Sequence, residues 1–150
     1  MANYSMKKIT VAMDGSEESK RAADMAISIA SKYEASLTVL YVRFPPDYML
    51  YPELSVPPPA PPIPINIETA ERVWLAEVQE KAKAKHIQFN EKLITSTRSP
   101  QSEIVDYADA DKSDLIVIGT KGRSGFKKIL LGSVASGVVT YSSCPVMVVR

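Results

Sequence analysis

Short runs of β-branched and apolar residues alternate along this chain with longer segments whose apolar residues recur at helical spacing. This alternation restricts the fold more than any other feature. The clearest run is DLIVIG at 114–119, and the first is KITVAMD at 8–14; both read as buried strands. Strands joined by helical segments pair in parallel through right-handed crossovers, which predicts an α/β fold with helices on both faces of one sheet. Further strands are expected at 36–42, 88–94 and 145–149, which makes five.

The helical segments have recognisable starting signals. Ser16 is a good N-cap and is followed by two glutamates, which the helix dipole favours in the first turn. Ser99 is an N-cap followed by proline, and predicts a helix through about Ala110. Two more helices are expected, one that carries Trp74 and one that begins near Ser133. The apolar stripes are Ala22, Ala26, Ile29, Ala30 and Tyr33 in the first helix and Ile67, Ala70, Trp74, Val78 and Ala82 in the second.

Residues 44–64 interrupt this rhythm. Nine of the eleven prolines lie there, including PPPAPPIP, and neither a helix nor a central strand tolerates that density. The segment is expected to be an inserted, partly extended surface loop, with a proline-rich docking motif as the alternative. Because the chain has 150 residues and shows no internal repeat, residues 1–150 are expected to form a single domain.

Composition excludes several classes of protein. With 18 Lys+Arg against 17 Asp+Glu the formal net charge is +1, so no global field attracts nucleic acid or an anionic membrane. One Cys and one His exclude a His/Cys metal site, and a Cys/His nucleophilic couple is not expected. No apolar run approaches the ~18 residues of a membrane span, and no secretory signal is visible, so a cytoplasmic location is expected.

The expected topology points to one edge of the sheet. In open α/β sheets, ligands bind beyond the carboxyl ends of the strands where the winding direction reverses. If the first three strands wind one way and the last two the other, giving the order 3-2-1-4-5, that point lies between strands one and four. The first strand ends at Asp14, and the fourth ends at Gly119. A candidate ligand site is therefore expected between these two residues.

The segment 119–133, GTKGRSGFKKILLGS, has the composition of a phosphate-binding loop. It contains four glycines and four cations and no acid. Glycines let the backbone approach a ligand, and a helix that starts at Gly132-Ser133 points its free N–H groups and positive dipole end the same way. Neither G-x-x-x-x-G-K-[ST] nor G-x-G-x-x-G occurs in the chain. Lys127 and Lys128 are expected to form a solvated face rather than to bind phosphate directly.

The spacing G-x2-G-x9-G-S of Gly119, Gly122, Gly132 and Ser133 resembles the ATP-binding signature of the universal stress protein family. Four segments are similar to that family in the same order: KITVAMDGSEES, SDLIVIGTKGRSG, LLGSVASGVV and CPVMVVR. The resemblance covers the whole chain except the proline-rich insert. It implies a Rossmann-like sheet of the adenine nucleotide alpha hydrolase type that binds ATP, with Mg²⁺ or Mn²⁺ held mainly by the phosphates.

The resemblance also implies roles for single residues. Backbone N–H groups of Gly132, Ser133 and Val134, and the Ser133 hydroxyl, would hold the β- and γ-phosphates. The Asp14 carboxylate would reach ribose hydroxyls or a metal-bound water, and Val42 would offer backbone groups and an apolar wall to adenine. The whole implied set is Ala12, Met13, Asp14, Val42, Ile118, Gly119, Lys121, Gly122, Arg123, Gly132, Ser133, Val134 and Ala135.

Two alternatives stay open at this point. Asp14 could instead be a turn residue or a helix cap. The pocket could serve a nucleotide-dependent regulatory module that acts through an unknown protein partner, or it could belong to a slow ATPase or an autophosphorylating protein. Because no residue supplies a well-defined general base beside the γ-phosphate, binding is favoured over turnover.

The last strand, from Pro145 to Val149, is expected to lie at an edge of the sheet. Its residues VMVV are apolar, and such an edge exposes unpaired N–H and C=O groups that should not stay bare. Two copies could pair there about a two-fold axis. Relatives in the family dimerise through this strand, so the resemblance implies a homodimer as well.

Overall fold

A computed structural model of the chain describes residues 4–45, 67–121 and 131–150, with the backbone alone for residues 67–69. Five strands alternate with four helices among these residues. None of the described helices combines the length and the apolar character that a membrane crossing requires. In chain order the elements are β1 (Lys8–Met13), α1 (Glu17–Tyr33), β2 (Ser36–Arg43), α2 (Ile67–Ala84), β3 (Phe89–Thr95), α3 (Pro100–Asp111), β4 (Leu115–Gly119), α4 (Ser133–Tyr141) and β5 (Val146–Val149).

The five strands form one parallel sheet in the order β3-β2-β1-β4-β5, which confirms the prediction. Val11 in β1 lies opposite Val39 in β2 and Val117 in β4, and all three side chains are fully buried. The chain builds outward from β1 to β3 and then returns to add β4 and β5 on the other side. The winding therefore reverses between β1 and β4, whose carboxyl ends form the expected ligand edge.

Each face of the sheet carries an apolar core. Helices α1 and α2 cover one face, where Trp74 is 5% exposed and meets Tyr41 edge to face, with ring centroids 5.7 Å apart. Helices α3 and α4 cover the other face, where Ile104 and Val138 belong to the same buried cluster as Leu40. The prediction of helices on both faces is thus confirmed, and Trp74, predicted as part of an apolar stripe, lies in the core.

Among the stripe residues whose side chains the structure describes, two lie outside these cores; the side chain of Ile67 is not among those described. Tyr33 at the end of α1 is 48% exposed, and Ala70 in the first turns of α2 is also exposed. Both stand near a helix end, where fewer neighbouring elements cover the helix. Periodicity alone therefore overestimates the length of each buried face.

Local signals set the element boundaries. The Ser16 hydroxyl accepts a hydrogen bond from the Ser19 N–H at 3.2 Å, and the Ser99 hydroxyl accepts one from the Ser102 N–H at 3.4 Å, so both predicted N-caps are confirmed. The strand ranges differ from the predicted ones by a single residue at one or both ends. In β1 the strand ends at Met13 because the next residue begins the turn into α1.

Most of the predicted insert at 44–64 lies outside the described residues, and so does the docking motif considered as its alternative. Phe44 and Pro45 are described, and they belong to neither a helix nor a strand. A single domain over residues 1–150 with an inserted loop therefore stays a prediction.

Candidate functional site

A cavity of about 340 Å³ opens at the carboxyl ends of β1 and β4, where the sheet reverses its winding. The structure brings eleven of the thirteen predicted nucleotide-binding residues to its wall. The other two, Gly122 and Arg123, lie outside the described residues, as do Lys127 and Lys128. The eleven are Ala12, Met13, Asp14, Val42, Ile118, Gly119, Lys121, Gly132, Ser133, Val134 and Ala135.

Five residues of the wall are absent from the predicted set. Leu40 could have been found from the alternation of β2, because it points to the same face of the sheet as Val42. Thr120 could have been found as well, because it lies in the segment 119–133 between two predicted residues. The other three carry no local signal for a ligand site, since they reach the cavity only through the packing of α1 and α3. The five are Ser19, Leu40, Pro100, Ile104 and Thr120.

One part of the wall is an apolar recess, formed by Leu40, Ile104 and Ile118. These side chains are 1%, 3% and 5% exposed and belong to one buried cluster. Val42 packs against the same cluster near the end of β2, close to the last backbone groups of that strand. A recess of this kind suits a flat heteroaromatic ring, which needs dispersion contacts together with a few oriented hydrogen bonds.

Another part of the wall is the N-terminus of α4. The N-cap of this helix, Gly132, has an extended backbone with φ −67° and ψ 163° and makes no side-chain capping bond. The first N–H groups of an α-helix lack intrahelical acceptors and carry the positive end of the helix dipole. The N–H groups of Ser133 and Val134 therefore have the chemistry to bind an anionic group in the cavity.

The N–H group of Gly132 has a different role from the expected one. It donates to the carbonyl oxygen of Thr120 at 2.6 Å, and the Gly132 carbonyl accepts from the N–H of Ser136 at 2.9 Å. Gly132 thus fastens the start of α4 to the residue that follows β4. The expected donation from this N–H to a phosphate is corrected accordingly, and the candidate donors begin at Ser133.

Asp14 holds the turn between β1 and α1. Its Oδ1 atom accepts from the N–H of Ser16 at 2.9 Å, and Gly15 between them has φ 82°, a left-handed conformation that favours glycine. Asp14 therefore has the role of a turn residue, which was one of the two alternatives from the sequence. The half-buried carboxylate also lines the cavity, so the same turn fixes its position beside the ligand space.

Among the described residues of the wall, Asp14 and Lys121 are the charged ones. A cage for a divalent cation takes several oxygen ligands, and one carboxylate is too few. The described part of the chain also contains no group of three or more His, Cys, Asp or Glu residues that could hold a metal ion. A divalent cation in this cavity would therefore have to be coordinated mainly by the oxygens of its ligand and by water.

Known proteins resemble this chain over nearly its whole length. The sequence profile of the Universal stress protein family matches residues 6–150. Universal stress protein MJ0531 of Methanocaldococcus jannaschii is 34% identical over 144 residues, covering 96% of this chain and 82% of that protein. Universal stress protein YxiE of Bacillus subtilis is 33% identical over 157 residues, covering 95% of this chain and 98% of that protein.

A solved structure shows the same fold. It is a universal stress protein crystallised in complex with cAMP, and it superposes with a TM-score of 0.68 at 28% identity. The superposition covers 97% of this chain and 98% of that chain. The match to the family's sequence profile includes every residue that lines the described cavity, and the superposition covers nearly the whole chain.

Proposed function

This chain belongs to the universal stress protein family, and we propose that it is an ATP-binding module that regulates a stress response through a protein partner or its own dimer. The proposal assigns the cavity at the ends of β1 and β4 to the nucleotide. It also assigns a cytoplasmic location, with neither nucleic acid nor membrane as a partner.

The apolar recess would hold the adenine ring. Leu40, Ile104 and Ile118 supply its buried apolar surface, and the backbone at Val42 supplies hydrogen-bonding groups at the rim. The Asp14 carboxylate, held in place by the Ser16 N–H, would accept hydrogen bonds from the ribose hydroxyls. A charge-assisted bond of this kind is stronger than a neutral one and fixes the orientation of the sugar.

The N-terminus of α4 would hold the phosphates. The N–H groups of Ser133 and Val134 and the Ser133 hydroxyl supply donors, and the helix dipole favours negative charge there. Lys121 adds a cation at the wall. Gly122, which the resemblance implies at the ribose and phosphates, and Arg123 belong to the proposed set as well. Mg²⁺ or Mn²⁺ would enter with the triphosphate and be held mainly by it.

The proposal rests mainly on one observation: an apolar recess and the N-terminus of a helix line the same cavity. Apolar surface alone would suit many hydrophobic ligands, and a helix N-terminus alone would suit any anion. Together they match a ligand with a flat ring at one end and negative charge at the other. The related protein that was solved with cAMP supports an adenine nucleotide as this ligand.

Isothermal titration calorimetry with ATP, ADP and GTP tests the proposal. We expect ATP to bind more tightly than GTP, and we expect mass spectrometry of ligand released from the denatured, freshly purified protein to detect an adenine nucleotide. Equal binding of GTP and ATP would contradict the adenine assignment. Absence of binding to any of the three nucleotides by a folded protein would overturn the proposal.

The second candidate is a slow ATPase or autophosphorylating protein that uses the same cavity. Asp14 is the one acid among the described residues of the wall, and the proposal places it at the ribose, so no described residue of the wall is assigned as a general base beside the γ-phosphate. Binding is therefore favoured over catalysis. Single-turnover hydrolysis of labelled ATP separates the two, because ordinary enzymes turn over near 10 per second and a rate above ~0.01 per second would favour the enzyme.

In this proposal the protein is a homodimer that forms through β5. The sheet has two edge strands, and they differ in charge. Strand β3 carries the exposed charged residues Glu91 and Lys92 beside the exposed Leu93, whereas β5 is VMVV, has no charged residue and exposes Met147 by 37%. Charged residues protect an edge from pairing, and an apolar edge invites it. We therefore assign β5 to the interface and leave β3 to solvent.

A further inference from the structure

Another cavity, of about 550 Å³, lies between helix α2 and the edge strand β3. We call it the α2–β3 groove, because residues between 71 and 79 and residues 91–93 form most of its wall. Strand β2 contributes Tyr41 to this wall, whereas the neighbouring residues Leu40 and Val42 line the cavity described above. Successive side chains of a strand point to opposite faces, so the two cavities lie on opposite faces of the sheet.

Glu71 supplies a buried carboxylate to the α2–β3 groove. The residue is 6% exposed, and its Oε1 atom has no hydrogen-bond partner among the described residues. Its Oε2 atom is 3.9 Å from Nη1 of Arg43, which is too long for a hydrogen bond. A buried carboxylate needs hydrogen-bond donors to offset the loss of its hydration. Glu71 therefore has the capacity to accept a hydrogen bond from a ligand in the groove.

An apolar strip runs along the groove from the Glu71–Arg43 pair. Tyr41 lies opposite Leu93 in the pairing of β2 with β3, two residues before Arg43. Leu75 follows Glu71 by one turn of α2 and lines the same groove. Tyr41 is buried, while Leu93 is 47% exposed. The groove thus offers an ion pair at one end and apolar surface beside it.

The charges of the described wall are mixed. Three cations, Arg43, Arg72 and Lys92, stand against the two acids Glu71 and Glu91. A simple cation that approaches Glu71 would also meet Arg43, and a simple anion that approaches Arg43 would also meet Glu71. A ligand that carries both charges close together can satisfy both partners.

We propose that the α2–β3 groove binds a free α-amino acid with an apolar side chain. The α-ammonium group would donate to Glu71, whose carboxylate can turn either oxygen toward the groove by rotation about its last bond. The α-carboxylate would accept from the guanidinium groups of Arg43 and Arg72, and the side chain would lie along the apolar strip. This site goes beyond the proposed function, because it is separate from the nucleotide cavity and does not depend on it.

Calorimetric titration of the full chain tests the proposal. The probes are L-leucine, L-methionine and L-phenylalanine, each with and without saturating ATP. We expect at least one of them to bind with one site per chain, and to bind in the presence of ATP as well. Failure of all three to bind the folded protein at millimolar concentrations would overturn the proposal. Complete displacement by ATP would place the amino acid in the nucleotide cavity and would overturn it too.

Derivatives of the amino acid that binds most tightly test the recognition of its two charges. The amide lacks the carboxylate, and the N-acetyl derivative lacks the ammonium group. Each removes a charge-assisted contact, so we expect each to bind at least about tenfold more weakly than the parent. Parent affinity in the N-acetyl derivative would overturn the role of Glu71, and parent affinity in the amide would overturn the role of the arginines.

A variant locates the site. Glu71→Gln keeps the size of the side chain and removes its charge, so we expect amino-acid affinity to fall at least about tenfold. Glu77→Gln makes the same change at an exposed position of α2 outside the groove, and should retain wild-type affinity. Circular dichroism checks the fold of both variants. Wild-type affinity in a folded Glu71→Gln protein, or an equal loss in both variants, would overturn the assignment.

Two results keep this site and the proposed function distinguishable. If Glu71→Gln does not fold, the amide and N-acetyl derivatives decide the proposal on the wild type alone. If the wild type binds an amino acid through Glu71 but binds no ATP, the α2–β3 site stands and the proposed function fails.

Discussion

The backbone of Glu18 lies directly against Gly119. A Cβ atom on Gly119 would be 2.9 Å from the carbonyl carbon of Glu18 and 3.1 Å from its carbonyl oxygen. The first turn of α1 thus rests on the end of β4, and this contact brings Ser19 of α1 to the wall of the cavity. Gly119 therefore serves the packing of the fold as well as the opening of the site.

The first prediction follows from this contact. Gly119→Ala should lower the free energy of unfolding by about 1–3 kcal/mol, because the obstacle is backbone and cannot rotate away as a side chain would. Thermal unfolding should show the loss as a lower Tm, by about 2–4 °C per kcal/mol in a domain of this size. Ser28→Ala, on the exposed face of the same helix, is the control and should stay within about 0.5 kcal/mol of wild type. An unchanged Tm for Gly119→Ala would contradict the packing role.

Local chemistry explains why most of the fold could be predicted. Val11, Val39 and Val117 lie at the centres of short apolar runs rich in β-branched residues, and runs of this length and composition favour buried strands. Ser16 and Ser99 mark helix starts because a hydroxyl beside a helix N-terminus is a local signal. The exposure of single stripe residues such as Tyr33 was harder to predict. A periodic stripe shows which face of a helix is apolar, but it does not show how far the neighbouring elements cover that face.

The site could be predicted in part for a different reason. Asp14 and Gly119 are far apart in the sequence, and the rule for parallel sheets brings them to one cavity. Ser19 and Ile104 could not be predicted, because their place in the wall depends on how α1 and α3 pack over the sheet. The hydrogen-bond acceptor of the Gly132 N–H could not be predicted either. It depends on how α4 and the end of β4 are placed relative to each other, which no single residue signals.

Asp14→Asn should weaken ATP and ADP binding by similar factors. The amide keeps an oxygen that can accept from the Ser16 N–H, so the turn should survive, while the charge that strengthens the bond to the ribose is lost. Loss of a charge-assisted hydrogen bond typically costs about 1.5–3 kcal/mol, which calorimetry would record as a weaker Kd for both nucleotides. A loss confined to ATP would place Asp14 at the metal or the γ-phosphate and contradict the ribose assignment. Asp14→Ala, which also removes the turn contact, should lower the Tm in addition.

Gly132→Val should abolish ATP binding in a folded protein. The φ of −67° and ψ of 163° at this position are open to any residue, so the backbone should tolerate the change. A branched side chain at the N-cap would instead occupy the space in front of the α4 N-terminus, where the phosphates are proposed to bind. Circular dichroism checks the fold and calorimetry checks the binding. Wild-type affinity in a folded Gly132→Val protein would show that phosphates do not approach this helix end.

The final prediction concerns the proposed interface. We expect a wild-type mass near 33 kDa in sedimentation equilibrium, twice the 16.5 kDa of one chain. Met147 is the residue of β5 to substitute in a test of this interface, because its side chain is exposed. Val146 and Val148 instead pack against the core under α3 and α4. Met147→Lys would bring like charges together across the two-fold axis, and should weaken the dimer by about tenfold or more without loss of the fold. Leu93→Lys makes an equivalent change at an exposed position of the opposite edge strand, and should leave the dimer intact. If Leu93→Lys gave monomers and Met147→Lys did not, the interface would lie on β3 instead.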